Sequence, residues 1–281
     1  MSNNTGGHEG GMDKSIDLRV EAVALSIGGL KILSDVSLNV CKGDLFALIG
    51  PNGAGKTSLL NCISAIYRPT NGQIVFDGKD LAQLTPHQVA EIGIARTFQL
   101  TELFKHMNVL QNLLAGRHIK MKSGLLSNGF FWGRTIKEEV EHREAVEKII
   151  EFLELGKYRK TESASLPYGT QKIVGLGRAL AMEPKILLLD EPSAGMNRQE
   201  KEDIARFILR IKHEMGMTII WVEHDMQLVG DLADEIAVLN FGTKIAEGKP
   251  DHVLSDPVVI KSYLGTKAEK PISNMPGGHH V

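Results

Sequence analysis

The segment GPNGAGKTS, residues 50–58, matches the phosphate-loop pattern G-x-x-x-x-G-K-[ST] and lies between an apolar run and a helical pattern. Glycines let the backbone wrap closely around phosphates, so that successive N–H groups point inward. We expect Lys56 to neutralise the β- and γ-phosphates of a nucleotide and Thr57 to bind Mg²⁺ through its hydroxyl. The predicted phosphate-contacting residues are Gly50, Asn52, Gly53, Ala54, Gly55, Lys56, Thr57 and Ser58.

A second candidate group is acidic and ends the apolar run ILLLDEP, residues 186–192. We expect Asp190 to hold Mg²⁺ from the strand end and Glu191 to polarise an attacking water. Two polar residues follow other predicted strands. Gln99 is placed to reach the metal and the water, and His224 is placed to contact the γ-phosphate. These residues favour a nucleotide hydrolase that uses a divalent cation.

The segment SLPYGTQK, residues 165–172, begins a third candidate site. Its proline, tyrosine and glycine precede the helical pattern QKIVGLGRALAM. The first turn of a helix has free N–H groups, and these suit an anion. The residue types alone do not identify which anion would bind there.

Composition excludes several classes of protein. The 281 residues are 42% hydrophobic, and 32 Lys and Arg balance 34 Asp and Glu, so we expect no nucleic acid partner. The two cysteines suggest neither a disulfide framework nor a zinc site. The apolar runs are far shorter than the roughly 20 residues needed to span a bilayer, so any membrane role must come through a partner.

The elements that position these residues alternate between strands and helices. Segments 18–25 and 35–40 alternate apolar and polar residues, as half-buried antiparallel strands do. Continuous apolar runs predict parallel strands that are covered on both faces; they are residues 44–50, 185–190, 218–224 and 235–240. The predicted fold class is α/β, with a phosphate-loop core, a mostly parallel sheet, an antiparallel β subdomain and an inserted α-helical subdomain.

This pattern predicts a domain organisation. We expect residues 15–100 and 156–265 to form the core and its antiparallel β subdomain. Residues 101–185, which overlap the core boundary and contain SLPYGTQK, are expected to form the helical subdomain. The polar tails 1–14 and 266–281 are predicted to be disordered.

Within the insert, two segments carry helical periodicity: residues 108–118 and 135–155. In the second, we expect one apolar face made of Ile136, Val140, Ile149, Ile150 and Leu153. Before the insert, Thr85, Pro86 and Gln88 predict a capping box that opens a short helix.

Taken in order, the motifs resemble the nucleotide-binding subunit of an ATP-binding-cassette (ABC) transporter. The order is phosphate loop, Gln99 loop, helical insert, LPYGTQ, LLLDEP, SAGMN and His224, and it covers about residues 18–264. Within that family the chain is most similar to importer subunits for branched-chain amino acids. Four stretches carry this similarity: IARTFQLTELFKHMNVLQNLL, the signature L-x-Y-G-x-Q, EPSAGMN and EGKPDHVLSDPVVIKSYLG.

The resemblance implies an ATPase with ATP and Mg²⁺ as cofactors. Thr57, Gln99 and Asp190 would organise Mg²⁺, Glu191 would activate water, and His224 would stabilise the transferring phosphoryl group. The anion at the helix start would be the γ-phosphate of ATP held by a sister cassette. The signature residues facing it would be Leu166, Tyr168, Gly169 and Thr170.

The resemblance also implies partners. These are a sister cassette in a heterodimer or homodimer, integral membrane permease subunits and, indirectly, an external solute-binding protein. The expected location is the cytoplasmic face of a bacterial or archaeal membrane. In such transporters the surface near Gln99 receives a helix of the permease, so residues 100–109 are the candidate docking groove. The aromatic segment 129–134 is either a partner contact or buried in the insert.

Two departures from the family pattern affect the expected chemistry. The usual signature is Leu-Ser-Gly-Gly-Gln, whereas Pro167 and Tyr168 stand here in place of the serine and the first glycine. A serine hydroxyl is thereby lost, which makes unequal ATP sites a hypothesis for a heterodimer. The family often stacks an aromatic residue on adenine, and the corresponding position is Ile27, which either contacts the base or belongs to the core.

Other functions share part of this pattern. A cassette for urea, amides or another small solute has the same core, as does a lipid exporter. A soluble cassette protein that clamps DNA or ribosomes usually has two cassettes or a long coiled coil, and neither is evident in this sequence. A nucleoside kinase would need an acceptor-binding lid, which nothing in the sequence resembles.

Overall fold

The computed structural model describes residues 15–97, 103–120 and 132–265, with side chains in the last range described from 138 to 263. The predicted tails and Gln99 lie outside these ranges. The described strands are β1 (Ile16–Ile27), β2 (Leu30–Cys41), β3 (Leu45–Ile49), β4 (Asn71–Phe76), β5 (Lys79–Asp80), β6 (Ile94–Thr97), β7 (Ile186–Asp190), β8 (Thr218–Val222), β9 (Glu235–Asn240) and β10 (Thr243–Gly248). The described α-helices are α1 (Lys56–Ile63), α2 (Pro86–Glu91), α3 (Val109–Arg117), α4 (Trp132–Phe152), α5 (Tyr168–Leu180), α6 (Arg198–Met215), α7 (Met226–Leu232), α8 (Pro250–Ser255) and α9 (Pro257–Gly265).

The central sheet has the strand order β10-β9-β3-β8-β7-β6. Every neighbouring pair from β9 to β6 is parallel, and β10 pairs antiparallel with β9 at one edge. Strands β3, β7 and β8 are buried along their whole length. Their continuous apolar runs are explained because both faces of the sheet are covered, one by α5 and α6 and the other by α1 and strands β1, β2 and β4. The predicted α/β fold class is confirmed.

A second, antiparallel sheet has the order β2-β1-β4-β5. In β1 the side chains of Leu18, Val20, Val23 and Leu25 are buried, while Arg19 and Glu21 are exposed or partly exposed. The alternation of apolar and polar residues in the sequence therefore corresponds to a sheet that packs one face on the core. This sheet packs beside the phosphate loop through β2.

Two hydrophobic clusters lie on opposite sides of the central sheet. Leu45, Ala47 and Ile49 belong to one cluster, and the intervening Phe46 and Leu48 belong to the other. Successive strand residues point to opposite faces, so β3 is fixed by both cores. Each fully buried side chain of this size contributes about 1.5–3 kcal/mol of transfer free energy. The phosphate loop thus follows a strand that is immobilised on both sides.

Three of the described helices begin with a capping box, one of which the sequence predicted. Thr85 and Gln88 form the expected capping box, with Pro86 at the first position of α2. Asn108 with Gln111 and Asn197 with Glu200 cap α3 and α6 in the same way. Helix α5 differs because Pro167 precedes it and no side chain caps it. None of the described helices combines the length and apolar character needed to cross a bilayer.

The helical segment after β6 contains α3 and α4, which pack against each other and against α5. The buried face of α4 comprises His142, Val146, Ile149 and Ile150. The prediction that Val140 shares this face is wrong, because 48% of its surface is exposed. At 3.6 residues per turn, Val140 lies about 180° around the helix from Ile149. The side chain of Ile136 lies outside the described residues.

Candidate phosphate and catalytic site

The phosphate loop joins β3 to α1 in a conformation that requires glycine. Gly50, Gly53 and Gly55 have φ angles of 146°, 79° and 99°. A Cβ at Gly50 would collide with the carbonyl of Leu239, and one at Gly55 would press on Leu33. The neighbouring strands therefore hold the loop in one shape, which ends at the N–H groups of α1.

Lys56 is the first residue of α1 and only 5% of its surface is exposed. Its Nζ donates hydrogen bonds to the carbonyls of Gly50 (2.7 Å) and Pro51 (2.9 Å), so the ammonium spans the loop. Burial lowers the pKa of Lys56, and the nearby carboxylates Glu191 and Asp190 oppose that shift. A buried ammonium held by the first two residues of the loop is a suitable counterion for phosphate.

The other loop residues differ in what they present. Asn52, Gly53 and Thr57 are exposed, and Ser58 is partly exposed. Ala54 is 2% exposed and packs into the core beneath the loop, so only its backbone can contact a ligand. The predicted set thus divides into residues that offer side chains and residues that offer main-chain groups.

Thr57 and Asp190 lie where a hard cation would bind. The Oγ1 atom of Thr57 donates to Oδ1 of Asp190 over 3.4 Å, and Asp190 is 2% exposed at the end of β7. Within the described part of the chain, no cluster of three or more His, Cys, Asp or Glu could hold a metal. Mg²⁺ commonly uses one or two protein oxygens together with phosphate oxygens, and this pair fits that mode.

Arg96, which sequence reasoning missed, is paired with the same carboxylate. Its Nη2 lies 2.7 Å from Oδ2 of Asp190, and the two side chains are 7% and 2% exposed. Its Nη1 also donates to Asn61 Oδ1 (2.5 Å) of α1 and to Oγ of Ser64 (3.2 Å), the residue after that helix. Arg96 thus links β6, α1 and β7. The available signal was a charged residue directly after two buried apolar residues of the strand IART.

Glu191 and His224 are in direct contact. The Nε2 atom of His224 lies 2.5 Å from Oε1 of Glu191, and both side chains are partly exposed. Glu191 adopts a φ of 47°, and its N–H donates to the carbonyl of Val222 (3.0 Å). The strained backbone directs the Glu191 carboxylate toward the end of β8. The structure therefore brings together two of the three residues predicted to be catalytic; the third, Gln99, lies outside the described residues.

Glu223 precedes His224 and was not predicted to matter. It is 4% exposed and accepts hydrogen bonds from Ser193 Oγ (2.8 Å), Trp221 Nε1 (3.1 Å) and the His224 N–H (3.2 Å). This buried carboxylate ties the turn after β7 to the end of β8. The N–H of His224 is therefore bonded to a carboxylate that is itself held by Ser193 and Trp221.

The start of α5 is the predicted anion site, and one of its N–H groups is already engaged. The N–H of Gly169 donates to Oε1 of Glu200 (3.2 Å), and a Cβ at Gly169 would collide with that carboxylate. Glu200 also accepts from the N–H of Asn197 (3.0 Å), so it joins the starts of α5 and α6. A carboxylate at this helix end agrees with the predicted preference for an anion.

The remaining signature residues point in different directions. Tyr168 is 44% exposed, and its hydroxyl donates to the carbonyl of Ala194 (3.3 Å). Thr170 is partly exposed, whereas Leu166 is 5% exposed and belongs to the hydrophobic core. Lys172 lies over the Tyr168 ring with its Nζ 5.6 Å from the centroid. The side chain of Leu166 is therefore not presented to a ligand.

Two further predicted residues can be placed only in part. Ile27 ends β1 and is 45% exposed, so the interpretation of Ile27 as a core residue is wrong. Gln99 lies outside the described residues, and β6 ends two residues before it at Thr97. Its predicted contacts with metal and water stay a prediction.

Comparisons with known proteins agree with this geometry. The family profile described as ABC transporter matches residues 33–194, and that described as branched-chain amino acid ATP-binding cassette transporter matches residues 243–269. BraF of Pseudomonas aeruginosa, a high-affinity branched-chain amino acid transport ATP-binding protein, is 36% identical over 88% of this chain and 97% of its own. A probable branched-chain amino acid transport ATP-binding protein, LivG, of Methanocaldococcus jannaschii is 37% identical over 88% of this chain and 97% of its own.

Solved structures show the same relationship. The ADP conformation of an ATP-binding cassette of an ABC transporter superposes with a TM-score of 0.78 and 37% sequence identity. The match covers 89% of this chain and 99% of that structure. The phosphate loop, the acidic strand end and the signature helix of this chain all lie within the matched family region. The chain therefore belongs to the ATP-binding cassette transporter family.

Proposed function

We propose that this chain is the ATP-hydrolysing subunit of a membrane importer for branched-chain and other hydrophobic amino acids. The matched family shows that it is an ATP-binding cassette. The substrate class is supported by the C-terminal profile match and by the names of relatives such as BraF, which align over 97% of their length. The observation that carries hydrolysis is the contact between Glu191 and His224 beside the phosphate loop.

Different residues of the site would bind the phosphates, activate the water and stabilise the transferring phosphoryl group. Lys56 and the N–H groups of Gly53 and Gly55 bind the phosphates. Glu191 orients and polarises the attacking water, because its carboxylate is the partly exposed acid beside the loop. His224 holds that carboxylate and offers its imidazole to the γ-phosphate, where charge develops during phosphoryl transfer.

Thr57 and Asp190 would hold Mg²⁺, with Gln99 as a third ligand. The bound cation would neutralise phosphate charge. The role of this chain is to present two oxygens at a fixed separation, and Arg96 keeps the second Asp190 oxygen engaged. The carboxylate is thereby oriented with Oδ1 toward Thr57.

A sister cassette completes the nucleotide site. The signature residues Tyr168, Gly169 and Thr170 would face ATP held by the other subunit. The signature of that subunit would in turn face the ATP bound by this chain. We favour a heterodimer over a homodimer. In a heterodimer the Pro167–Tyr168 signature, which lacks the usual serine hydroxyl, would make the two ATP sites unequal. Closure around ATP and release after hydrolysis would drive the membrane subunits as a population shift.

The permease would dock beside the helical subdomain, for which we keep residues 101–185 against a core of 15–100 and 156–265. A cavity of about 690 Å³ opens there, and its lining includes Leu103, Phe104, Ile119, Leu176 and Met182. Leu103 is 8% exposed and packs in the core, whereas Phe104 is 51% exposed and available to a partner. The complex would lie on the cytoplasmic face of the membrane, with an external binding protein delivering the solute.

Transport in a purified complex tests this proposal. The permease that co-purifies with the chain is reconstituted in proteoliposomes with its binding protein, and ATP-dependent uptake of radiolabelled leucine is measured. We expect uptake to require internal ATP and to cease with Glu191→Gln. Uptake of urea or amides but not of leucine would show that the proposed substrate class is wrong. Outward movement of lipid would show that the transporter is not an importer.

A further inference from the structure

The β9–β10 hairpin contains a residue that its turn does not favour. Asn240 pairs with Thr243, so Phe241 and Gly242 form a two-residue loop with φ angles of 45° and 78°. Both central residues of such a turn need positive φ, and Asn, Asp or Gly normally occupy the first. A bulky aromatic residue there is strained. Turn chemistry therefore does not account for phenylalanine at this position.

Packing does not account for it either. The Phe241 side chain is 85% exposed and belongs to neither hydrophobic cluster. A residue that strains the backbone and leaves its ring in solvent adds nothing evident to stability. Such a ring is an available surface for a planar ligand.

The turn is fixed next to the phosphate loop. The N–H of Gly242 donates to the carbonyl of Ala54 (3.0 Å), inside the loop, and the carbonyl of Gly242 accepts from the Ser34 N–H (2.8 Å) of β2. Gly242 also lies so close to the carbonyl of Ile32 that no Cβ would fit. Phe241 is therefore one residue from an atom that contacts the loop, on a rigid support.

The β1–β2 hairpin on the same side has no aromatic residue, and its exposed apolar side chains are aliphatic. Ile27 and Leu30 are 45% and 67% exposed. Leu30 precedes Ile32 by two residues, which is about 7 Å along an extended strand. Since Ile32 touches Gly242, two exposed aliphatic residues and one exposed ring flank the same side of the phosphate loop. A nucleoside extending from the loop toward β2 would meet both surfaces.

We propose that Phe241 stacks on the purine base of the bound nucleotide and supplies the aromatic contact that Ile27 does not. Ile27 and Leu30 would cover the other side of the base with aliphatic surface. The inference rests on the proposed nucleotide binding, and it adds the residue that contacts the base. Its contribution is to affinity and base preference and not to the phosphoryl transfer step.

The variant Phe241→Asn tests the proposal without threatening the fold, since Asn suits the turn better than Phe. Binding of Mg-ADP and of inorganic tripolyphosphate to the purified full-length chain is measured by calorimetry. Base–aromatic stacking predicts a loss of about tenfold in ADP affinity. Tripolyphosphate has no base, so its affinity should not change. Phe241→Trp should restore ADP binding, and ADP should quench the fluorescence of the new indole.

The controls separate the possible outcomes. Val258→Asn removes another exposed apolar side chain (58% exposed, on α9) and should leave both affinities unchanged. Lys56→Ala should weaken both ligands. Equal ADP affinity in Phe241→Asn and the unaltered chain would overturn the stacking proposal, as would equal losses for ADP and tripolyphosphate. An unaltered chain that binds neither ligand would instead overturn the proposed function.

Discussion

The carboxylate of Glu191 and the imidazole of His224 meet at 2.5 Å at the ends of two adjacent parallel strands. Glu191 directly follows β7, which ends at Asp190. His224 is the second residue after β8, which ends at Val222. The carboxyl ends of parallel strands lie at one edge of the sheet, so the two side chains converge there. We propose that they act as one catalytic pair, in which the histidine holds the carboxylate in place.

Replacement of Glu191 by Gln should leave ATP binding intact and abolish turnover. A Gln amide fills the same space but is a far weaker base, and loss of a general base typically costs 100-fold or more. ATP hydrolysis and the size of the ATP-bound species, measured by chromatography, check this. Glu202→Gln on the exposed face of α6 is the matched control. Unreduced turnover in Glu191→Gln would show that another group activates water.

The effects of Glu191 and His224 should be strongly non-additive. Because His224 acts partly by holding the carboxylate, the rate loss in the double variant Glu191→Gln/His224→Ala should be smaller than the product of the two single losses. Single-turnover rates of the two single variants and the double variant measure the coupling. His213→Ala, at the C-terminal end of α6, serves as the control. Simple multiplication of the two rate losses would mean that the residues act independently.

Removal of Arg96 should destabilise the chain in the absence of nucleotide. Arg96→Met leaves the Asp190 carboxylate buried without its partner, and breaking a buried pair costs about 3–5 kcal/mol. Urea unfolding measures this cost. The double variant Arg96→Met/Asp190→Asn should recover part of it. Arg198→Met removes a 95% exposed ion-pair partner and should change the unfolding free energy by less than about 1 kcal/mol. Equal costs in both single variants would contradict the burial argument.

Cys62 should be unreactive and should make stability fall at alkaline pH. It is fully buried in α1, and burial raises its pKa to about 12. The unfolded thiol ionises near pH 8.5, so between these values the unfolded state binds fewer protons and stability declines as pH rises. The stability advantage over Cys62→Ala should shrink by up to about 1.4 kcal/mol per pH unit in that window.

Thiol labelling gives an independent check on Cys62. At pH 8 a maleimide should modify Cys41, which is partly exposed, and reach Cys62 only after the chain is unfolded. Mass spectrometry of labelled peptides distinguishes the two. Rapid labelling of both cysteines in the folded chain would show that α1 opens beneath the phosphate loop.

Much of the fold is readable from local pattern. The runs in β3, β7 and β8 are continuous and apolar because both faces are covered, and no other element type fits them as well. The capping box at Thr85 and Gln88 is equally local. The error at Val140 arose because apolar residue type was counted without its angular position on α4. His142, a polar residue, occupies the buried face, and its Nδ1 accepts a hydrogen bond from Arg117 Nε (3.0 Å).

The site is readable only where a short motif carries the geometry. Lys56, Asp190 and Glu191 lie within contiguous motifs. Arg96 is 94 residues from Asp190 along the chain, so their pairing depends on the sheet order β8-β7-β6. The contact of Glu200 with Gly169 likewise depends on how α5 and α6 approach. Such tertiary contacts join residues that are far apart in the chain, so the spacing of residues in the sequence does not predict them.

A single residue in β8 joins the two halves of the phosphate site. Val222 pairs with Leu48 of β3 on one side and with Asp190 of β7 on the other. The distance between the loop that grips phosphate and the carboxylate that faces it is thus set when the protein folds. A nucleotide arriving here meets a preorganised pocket, and little of its binding energy is spent on assembling the two sides. Any conformational work the ligand performs is left for parts of the molecule beyond this central sheet.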